Sequence, residues 1–463
     1  MQSTSTMKFI ETLKNIWKIP ELRNRILFTL GLILVYRFGS FIVLPGVDPV
    51  ILDAATKSNA NSNSLLGLIN MFTGGAFNKG AIFALGIMPY ITASIIIQLL
   101  GFAVPYFQKL QQKEGESGRK KLTQITRLLT VAITLVQGGS YLAYLNSMGA
   151  VDSSVPDFVF WLSNIIVLSS GVIFAMWLGE KITDKGIGNG ISLLITIGIM
   201  SRLPGVFGFE FASKMDTGSL LSFVLEIVFL FGAVLATVLI VTGIRKIPVQ
   251  YPKRMVGRGA TAMPVAGNRD YIPVKVNAAG VMPIIFAQAI MFLPAAMVGY
   301  FAGTDSTVNS SYLLRSLNDY TSIPYNAIYF FIIVIFTYIY TALMVNPTNY
   351  ADYLKRQNAF IPGVKPGKAT ADFIDGVTSR ITLPGSIFLA FIAITPAFAR
   401  AFGVNSGFAS FFGGTSIIIL VGVVLDTLQQ IESYLLMRRY DGLVKSGKIQ
   451  GRSSRLQGIG SSM

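Results

Sequence analysis

Ten stretches of this chain are long, apolar and almost free of charge, and they leave room for little except a membrane bundle. Their approximate limits are 25–44, 81–104, 122–145, 158–178, 190–209, 219–243, 272–301, 322–346, 379–399 and 414–436. A helix needs about 20 apolar residues to cross a bilayer. Within lipid only helices or closed barrels satisfy every backbone N–H and C=O. Of the 463 residues only 13% are charged, against about 25% in soluble domains. The expected fold is an all-α polytopic membrane protein with ten spans. Residues 1–24 are polar and basic, with no apolar leader run.

The charges fix an orientation. Both termini, 105–121, 179–189, 244–275 and 347–380 fall on one side of a ten-span chain, and they hold 30 of its 38 lysines and arginines. By the excess of basic residues in cytoplasmic loops, that side is cytoplasmic. The net charge of +16 is therefore concentrated on one face. Two loops there, 244–271 and 347–378, are longer than a turn requires. Five spans precede residue 210 and five follow, so the halves 25–210 and 219–436 enter the membrane in opposite senses, as inverted repeats do. A basic tail, 437–463, closes the chain.

Several chemistries are excluded outright. The chain has no cysteine and no histidine, so disulfides, thiolate nucleophiles, imidazole bases and His/Cys metal sites are ruled out. It has no GxxxxGK[ST] phosphate loop. An enzyme is not expected, and no cofactor is implied. Polar residues inside spans are functional candidates: Arg37, Gln98, Gln137, Glu226, Gln288 and Asp426. They form no run of carboxylates such as a proton or sodium relay would need.

Two features are not those of plain anchors. Ser64 to Gly80 (SLLGLINMFTGGAFNKG) is apolar but too short to span, which leaves a re-entrant segment or a surface helix. The pairs Ile87/Ile91 and Ile191/Ile195 each lie on one helix face. Such stiff β-branched side chains either pack in the ordinary way or line a dry constriction. Pro89 either kinks its helix or sits in the first turn.

A denser signal comes from whole strings. YRFGSFIVLPGVD at Tyr36, NMFTGGAF at Asn70, ALGIMPYITASIIIQLL at Ala84, KEGESGRKK at Lys113 and MWLGEKITDKGIGNGIS at Met176 resemble the SecY family of protein-conducting channel subunits. So do VNAAGVMPIIFA at Val276, YTALMVNPTNYADYLKRQNAFIPGVKPG at Tyr340 and FGGTSIIILVGVVLD at Phe412. The resemblance runs from about residue 20 to 440. It implies a clamshell of two five-helix halves around an hourglass pore, which passes unfolded polypeptide across the plasma membrane and releases hydrophobic helices sideways into the bilayer.

The resemblance also implies residue roles. The pore ring falls on Ile87, Ile91, Ile191, Ile195, Ile285 and Ile419. The plug falls on about 64–77, with Phe72 as its aromatic and Gly74-Gly75 as a hinge. The lateral gate lies between the second and third spans and the seventh and eighth, with Thr92, Gln98 and Leu293 on or near the seam. Lys253, Arg254, Arg258 and Lys365 fall in the loops that dock a SecA ATPase or a ribosome, including ribosomal RNA phosphates. Lys365 stands where the family's loop carries arginine, and lysine lacks the bidentate fork. Implied partners are SecE and SecG subunits, signal sequences and nascent chains, membrane lipids, and accessory proteins of the SecDF and YidC type. Two other readings compete: a secondary transporter, which the ten-span inverted layout alone supports, and a scaffold or insertase without a pore.

Overall fold

The helix ends follow local chemistry. The computed structural model describes residues 17, 19–52, 70–112, 115–152, 156–252, 254–256, 263–265, 269–288, 290–291, 322–412 and 414–445. Helix α1 (Pro20–Gly39) and α2 (Met88–Ala103) both carry proline in their first turn, where the missing N–H has no helical partner to lose. Pro89 therefore starts α2 rather than kinking it. Val104 is extended, as the residue before a proline prefers. The chain then bends by 102° into α3 (Pro105–Gln112).

Four long helices follow: α4 (Gly115–Ser147), α5 (Asp157–Lys185), α6 (Gly190–Asp216) and α7 (Leu220–Thr242). The Asn189 side chain caps α6 by accepting from the Ile191 and Ser192 N–H groups, which would otherwise lack partners. Ser322 caps α8 (Ile323–Met344), and Asn346 caps the short α9 (Pro347–Arg356). The chain continues as α10 (Lys368–Ala401), α11 (Ser406–Ala409) and α12 (Gly414–Lys445). Among the described residues, seven helices are long and apolar enough to cross a bilayer alone: α4, α5, α6, α7, α8, α10 and α12. The bent α2–α3 pair passes the same test only when taken together, as a broken span or a re-entrant loop, which brings the number to at most eight. Helix α1 has the length, but it carries Glu21, Arg23, Arg25 and Arg37.

Two span starts differ from the sequence-based limits. Residues 82–87 form turns, tied by a bridge between Val43 and Ala81, so the second span becomes helical only at Met88. The seventh was expected from residue 272, but that segment belongs to a β-ribbon. Strand β1 (Ile244–Gln250) pairs antiparallel with β4 (Arg269–Lys275), placing Ile244 opposite Lys275 and Gln250 opposite Arg269. Helix appears at 282–288 and again at 290–291. Inside this ribbon, β2 (Arg254–Val256) pairs with β3 (Met263–Val265).

The apolar residues of the ribbon pack in a core of their own. Ile247, Val249 and Val274 bury against Leu354, Ala359, Ile361 and Ile374 from the 347–378 region. Gln250 and Phe360 exchange backbone hydrogen bonds of 2.9 and 3.1 Å, and the Tyr251 hydroxyl donates to Gln357 Oε1 at 3.1 Å. The two long basic-side loops are one unit. The charged stretch 115–121 is not a loop either. It extends α4 beyond the apolar run, with an exposed Glu116–Lys120 pair one turn apart.

Within the bundle, hydroxyls are satisfied locally. Thr126, Thr130 and Thr134 form a buried stripe on α4, and each donates to the carbonyl four residues back at 2.7–2.8 Å. Such back-bonding lets threonine face a helix neighbour without an orphaned donor. One apolar cluster gathers Leu44, Phe77, Leu85, Tyr141, Leu142 and Phe160 in the first half. Another gathers Ile284, Met291, Tyr325, Tyr329 and Leu389 in the second. A third lies between the halves.

Candidate functional site

That third cluster draws on both halves. Its buried members include Met71, Phe72, Ile195 and Ile199 from the first half, and Phe411, Ile419 and Val423 from the second. Ile91, Ile191, Val281 and Ile285 are partly buried against it. Five of the six ring isoleucines thus meet in one place. The sixth, Ile87, is buried beside Tyr36 and Phe83, in a group that Ile91 and Ile191 also touch. Ile87, Ile91, Ile195 and Phe72 line a gap of about 10 Å³, room for roughly one water.

Residues 70–77, the described part of the plug segment, are folded onto themselves. The Gly74 N–H reaches the Met71 carbonyl and the Gly75 N–H the Asn70 carbonyl. Thr73 Oγ1 donates to the Asn70 carbonyl at 3.2 Å and accepts from the Phe77 N–H at 3.3 Å. Asn70 Oδ1 accepts from the Asn78 N–H at 3.1 Å. The Tyr141 hydroxyl donates to the Phe77 carbonyl at 2.6 Å. Residues 64–69 lie outside the described residues.

The glycine pair divides into two roles. Both residues have positive φ, +65° at Gly74 and +91° at Gly75, a region that glycine adopts without steric cost. Only Gly74 is hemmed in. A Cβ there would meet Arg37 Nη1 at 2.5 Å and Gly198 Cα at 3.0 Å, whereas Gly75 faces open space. From the other side, a Cβ on Gly198 of α6 would stand 2.5 Å from the Phe72 carbonyl oxygen. The segment therefore rests backbone against backbone on α6. Arg37 holds it from α1, donating to the Gly74 carbonyl at 3.3 Å with its guanidinium over the Phe41 ring. Sequence reading marks Arg37 as a polar candidate inside a span but gives it no partner. Its partner is 37 residues away, and nothing local marks the pairing.

At the expected gate seam, Gln98 of α2 accepts from the Tyr340 hydroxyl of α8 at 3.2 Å and donates to Ser94 Oγ at 3.2 Å. Thr92 turns back on its own helix and donates to the Met88 carbonyl at 3.0 Å. Leu293 lies outside the described residues. Tyr340 was quoted in a motif but given no role. Its signal was a polar tip inside an apolar span, where a buried tyrosine hydroxyl usually finds a partner.

Of the docking residues, Lys365 is exposed beyond the positive-φ Gly363, and its carbonyl accepts from Thr370 Oγ1 at 2.9 Å. Arg254 opens β2 opposite Val265, while Lys253 and Arg258 lie outside the described residues. Arg245, Lys246, Lys355 and Arg356 are exposed on the same unit. Two buried carboxylates stand apart from all of this, Glu210 and Glu226, both at Lys214. They lie near the α6–α7 turn and make no relay through the bundle.

The assembled arrangement is an apolar cluster between two helical halves, packed against a folded segment, with a polar contact between α2 and α8. The chain as a whole is similar to known proteins. The SecY family model matches residues 81–428. A protein translocase subunit SecY of Streptomyces coelicolor is 42% identical over 448 residues, covering 93% of this chain and 98% of that protein. A solved protein-conducting channel superposes with a TM-score of 0.56 at 18% identity, over 88% of this chain and 91% of that one. Sec61 in a canine ribosome–channel complex from the endoplasmic reticulum superposes with a TM-score of 0.52 at 15% identity, over 88% of this chain and 91% of that one. The chain belongs to the SecY family of protein translocase subunits.

Proposed function

We propose that this chain forms a plugged, passive channel in the bacterial plasma membrane, with both termini and the basic face in the cytoplasm. The observation that carries this reading is the packing of Met71 and Phe72 against isoleucines of both halves. A ring of six isoleucines under an apolar segment makes a waist that excludes water and ions. When an unfolded chain displaces the segment, the ring closes around it without binding any one sequence.

The seam between α2 and α8 serves as the lateral gate. Among the described residues the Gln98–Tyr340 hydrogen bond bridges it, and such a bond within a membrane contributes about 0.6–2 kcal/mol. A hydrophobic signal sequence that gains lipid contact offsets that readily. The 244–275 ribbon and the 347–367 region form the docking platform for a SecA ATPase or a ribosome. Its exposed lysines and arginines suit RNA phosphates and acidic protein surfaces alike, and the similar Sec61 stands in a ribosome–channel complex. SecE- and SecG-type subunits, and accessory proteins of the SecDF and YidC type, belong to the same reading.

Planar-bilayer recording tests the seal. Ile191→Ser and Ile419→Ser each replace a waist side chain with a small polar one, and ion leak through the resting channel rises. An unchanged leak in both variants rules out the gasket.

A further inference from the structure

Glu210 and Glu226 are the buried carboxylates among the described residues. Glu210 lies near the end of α6, the last helix of the first half. Glu226 lies near the start of α7, the first helix of the second half. Lys214 Nζ sits between them, 2.9 Å from Glu226 Oε1 and 3.7 Å from Glu210 Oε1. The same ammonium donates to the Gly403 carbonyl at 3.2 Å, in the turn between α10 and α11. One cation thus bonds acceptors on α7 and on a second-half turn, while its 3.7 Å ion pair to Glu210 on its own helix leaves both Glu210 oxygens without a hydrogen bond.

Helix α7 is otherwise largely exposed on the surface of the chain: Phe223, Glu226 and Thr237 are its buried residues. A carboxylate there is costly unless paired. Buried ion pairs are poor sources of net stability, because apolar residues of similar volume often serve as well, but breaking one leaves an uncompensated charge. What the cluster supplies is geometry. The halves are joined by only three residues, 217–219, with Gly218 at φ +68°. The Ser219 N–H donates to the Lys214 carbonyl at 3.0 Å. So short a joint fixes position but leaves rotation free. Aromatic edges flank it, Phe223 against Phe207 and Phe211 with centroids 5.3 and 5.5 Å apart. At the far end of α6, the halves meet through a neutral bond of 2.8 Å, from the Gly188 N–H to Gln430 Oε1 of α12. Between these ends α6 shares the apolar cluster with the second half, and at the joint Asn405 Nδ2 also donates to Ser213 Oγ at 3.5 Å, so the buried charge is the feature that sets the joint end apart.

We infer that Lys214 is a positioning residue whose ammonium fixes the angle between the two halves at the α6–α7 joint. It thereby sets how far the isoleucine waist and the Gln98–Tyr340 seam can part. The inference rests on the channel reading for its consequence but not for its geometry.

The test uses the full chain in nanodiscs. Cysteines replacing the exposed Ser147 of α4 and Ile323 of α8 carry spin labels, one on each half, and no native cysteine competes. The variant E210Q/K214M/E226Q removes the cation together with both carboxylates, so no buried charge is left unpaired. Its label-to-label distance distribution is expected to broaden and to move to longer distance. Export of a reporter with a defective signal sequence is expected to rise several-fold. A triple variant that accumulates with the parent's distribution and the parent's signal dependence overturns the inference. A triple variant that is degraded while Lys214→Arg accumulates normally assigns the cluster to folding, and also overturns it. A changed distribution in a protein whose parent passes no polypeptide sinks the channel reading and leaves the joint standing.

Discussion

A methyl group at position 198 has nowhere to go. Its Cβ would stand 2.5 Å from the Phe72 carbonyl oxygen, well inside contact distance, so in Gly198→Ala the plug segment must shift. The helix itself gains from the change, since alanine is favoured over glycine by up to about 1 kcal/mol in a helix interior. Normal accumulation with raised resting leak is therefore expected in planar bilayers, and a tight channel would show that the segment has slack. At the seam, Tyr340→Phe deletes one hydroxyl and its bond to Gln98. A loss of about 0.6–2 kcal/mol corresponds to roughly a 3- to 30-fold shift toward the open gate. Export of a reporter with a weakened signal sequence measures it, and unchanged export would remove the latch. The isoleucines were legible because family motifs carry them. The partners of Arg37 and Tyr340 were not, because one lies in the 70–77 segment and the other on a distant helix.

Among elements, the β-ribbon is what hydropathy misread. Ile272, Pro273 and Val274 look like the start of a span, yet they are apolar because Val274 and its neighbours bury against Leu354 and Ile361. A hydropathy window cannot tell burial in protein from burial in lipid. The reverse error occurs at 115–121, which is charged but helical, since a surface helix needs only local pairs and a core-facing side. The pairing of Gln250 with Phe360 yields a prediction at this scale. Phe360→Pro removes the N–H that donates to the Gln250 carbonyl at 3.1 Å. The 357–367 segment should then become sensitive to limited proteolysis, and co-sedimentation with ribosomes or binding of SecA should weaken. A protease-resistant variant that binds normally would separate docking from this join.

For the whole molecule, the polytopic helical fold was legible from span count alone, since it follows from the bilayer rather than from packing, while the cytoplasmic basic face is a proposal from charge. How the halves meet was not, because the central cluster and the Lys214 site depend on contacts across hundreds of residues. Orientation is directly testable. The chain lacks cysteine, so Lys365→Cys, on the platform, and Phe402→Cys, at an exposed position beyond α10, each supply a sole thiol. A membrane-impermeant maleimide added outside cells should label Phe402→Cys and spare Lys365→Cys. The opposite pattern would invert the topology.

The Asn346 cap gives the platform a mechanical property. It starts α9 one residue after the C-terminal boundary residue of α8, so the unit proposed to dock partners follows the proposed gate helix without an intervening loop. Tyr340 lies five residues before Val345, about 7.5 Å along a helix. On the proposed function, a load on the ribbon would be passed along α9 and α8 toward the Gln98–Tyr340 contact. A partner that leans on the basic face can strain the latch before any polypeptide enters.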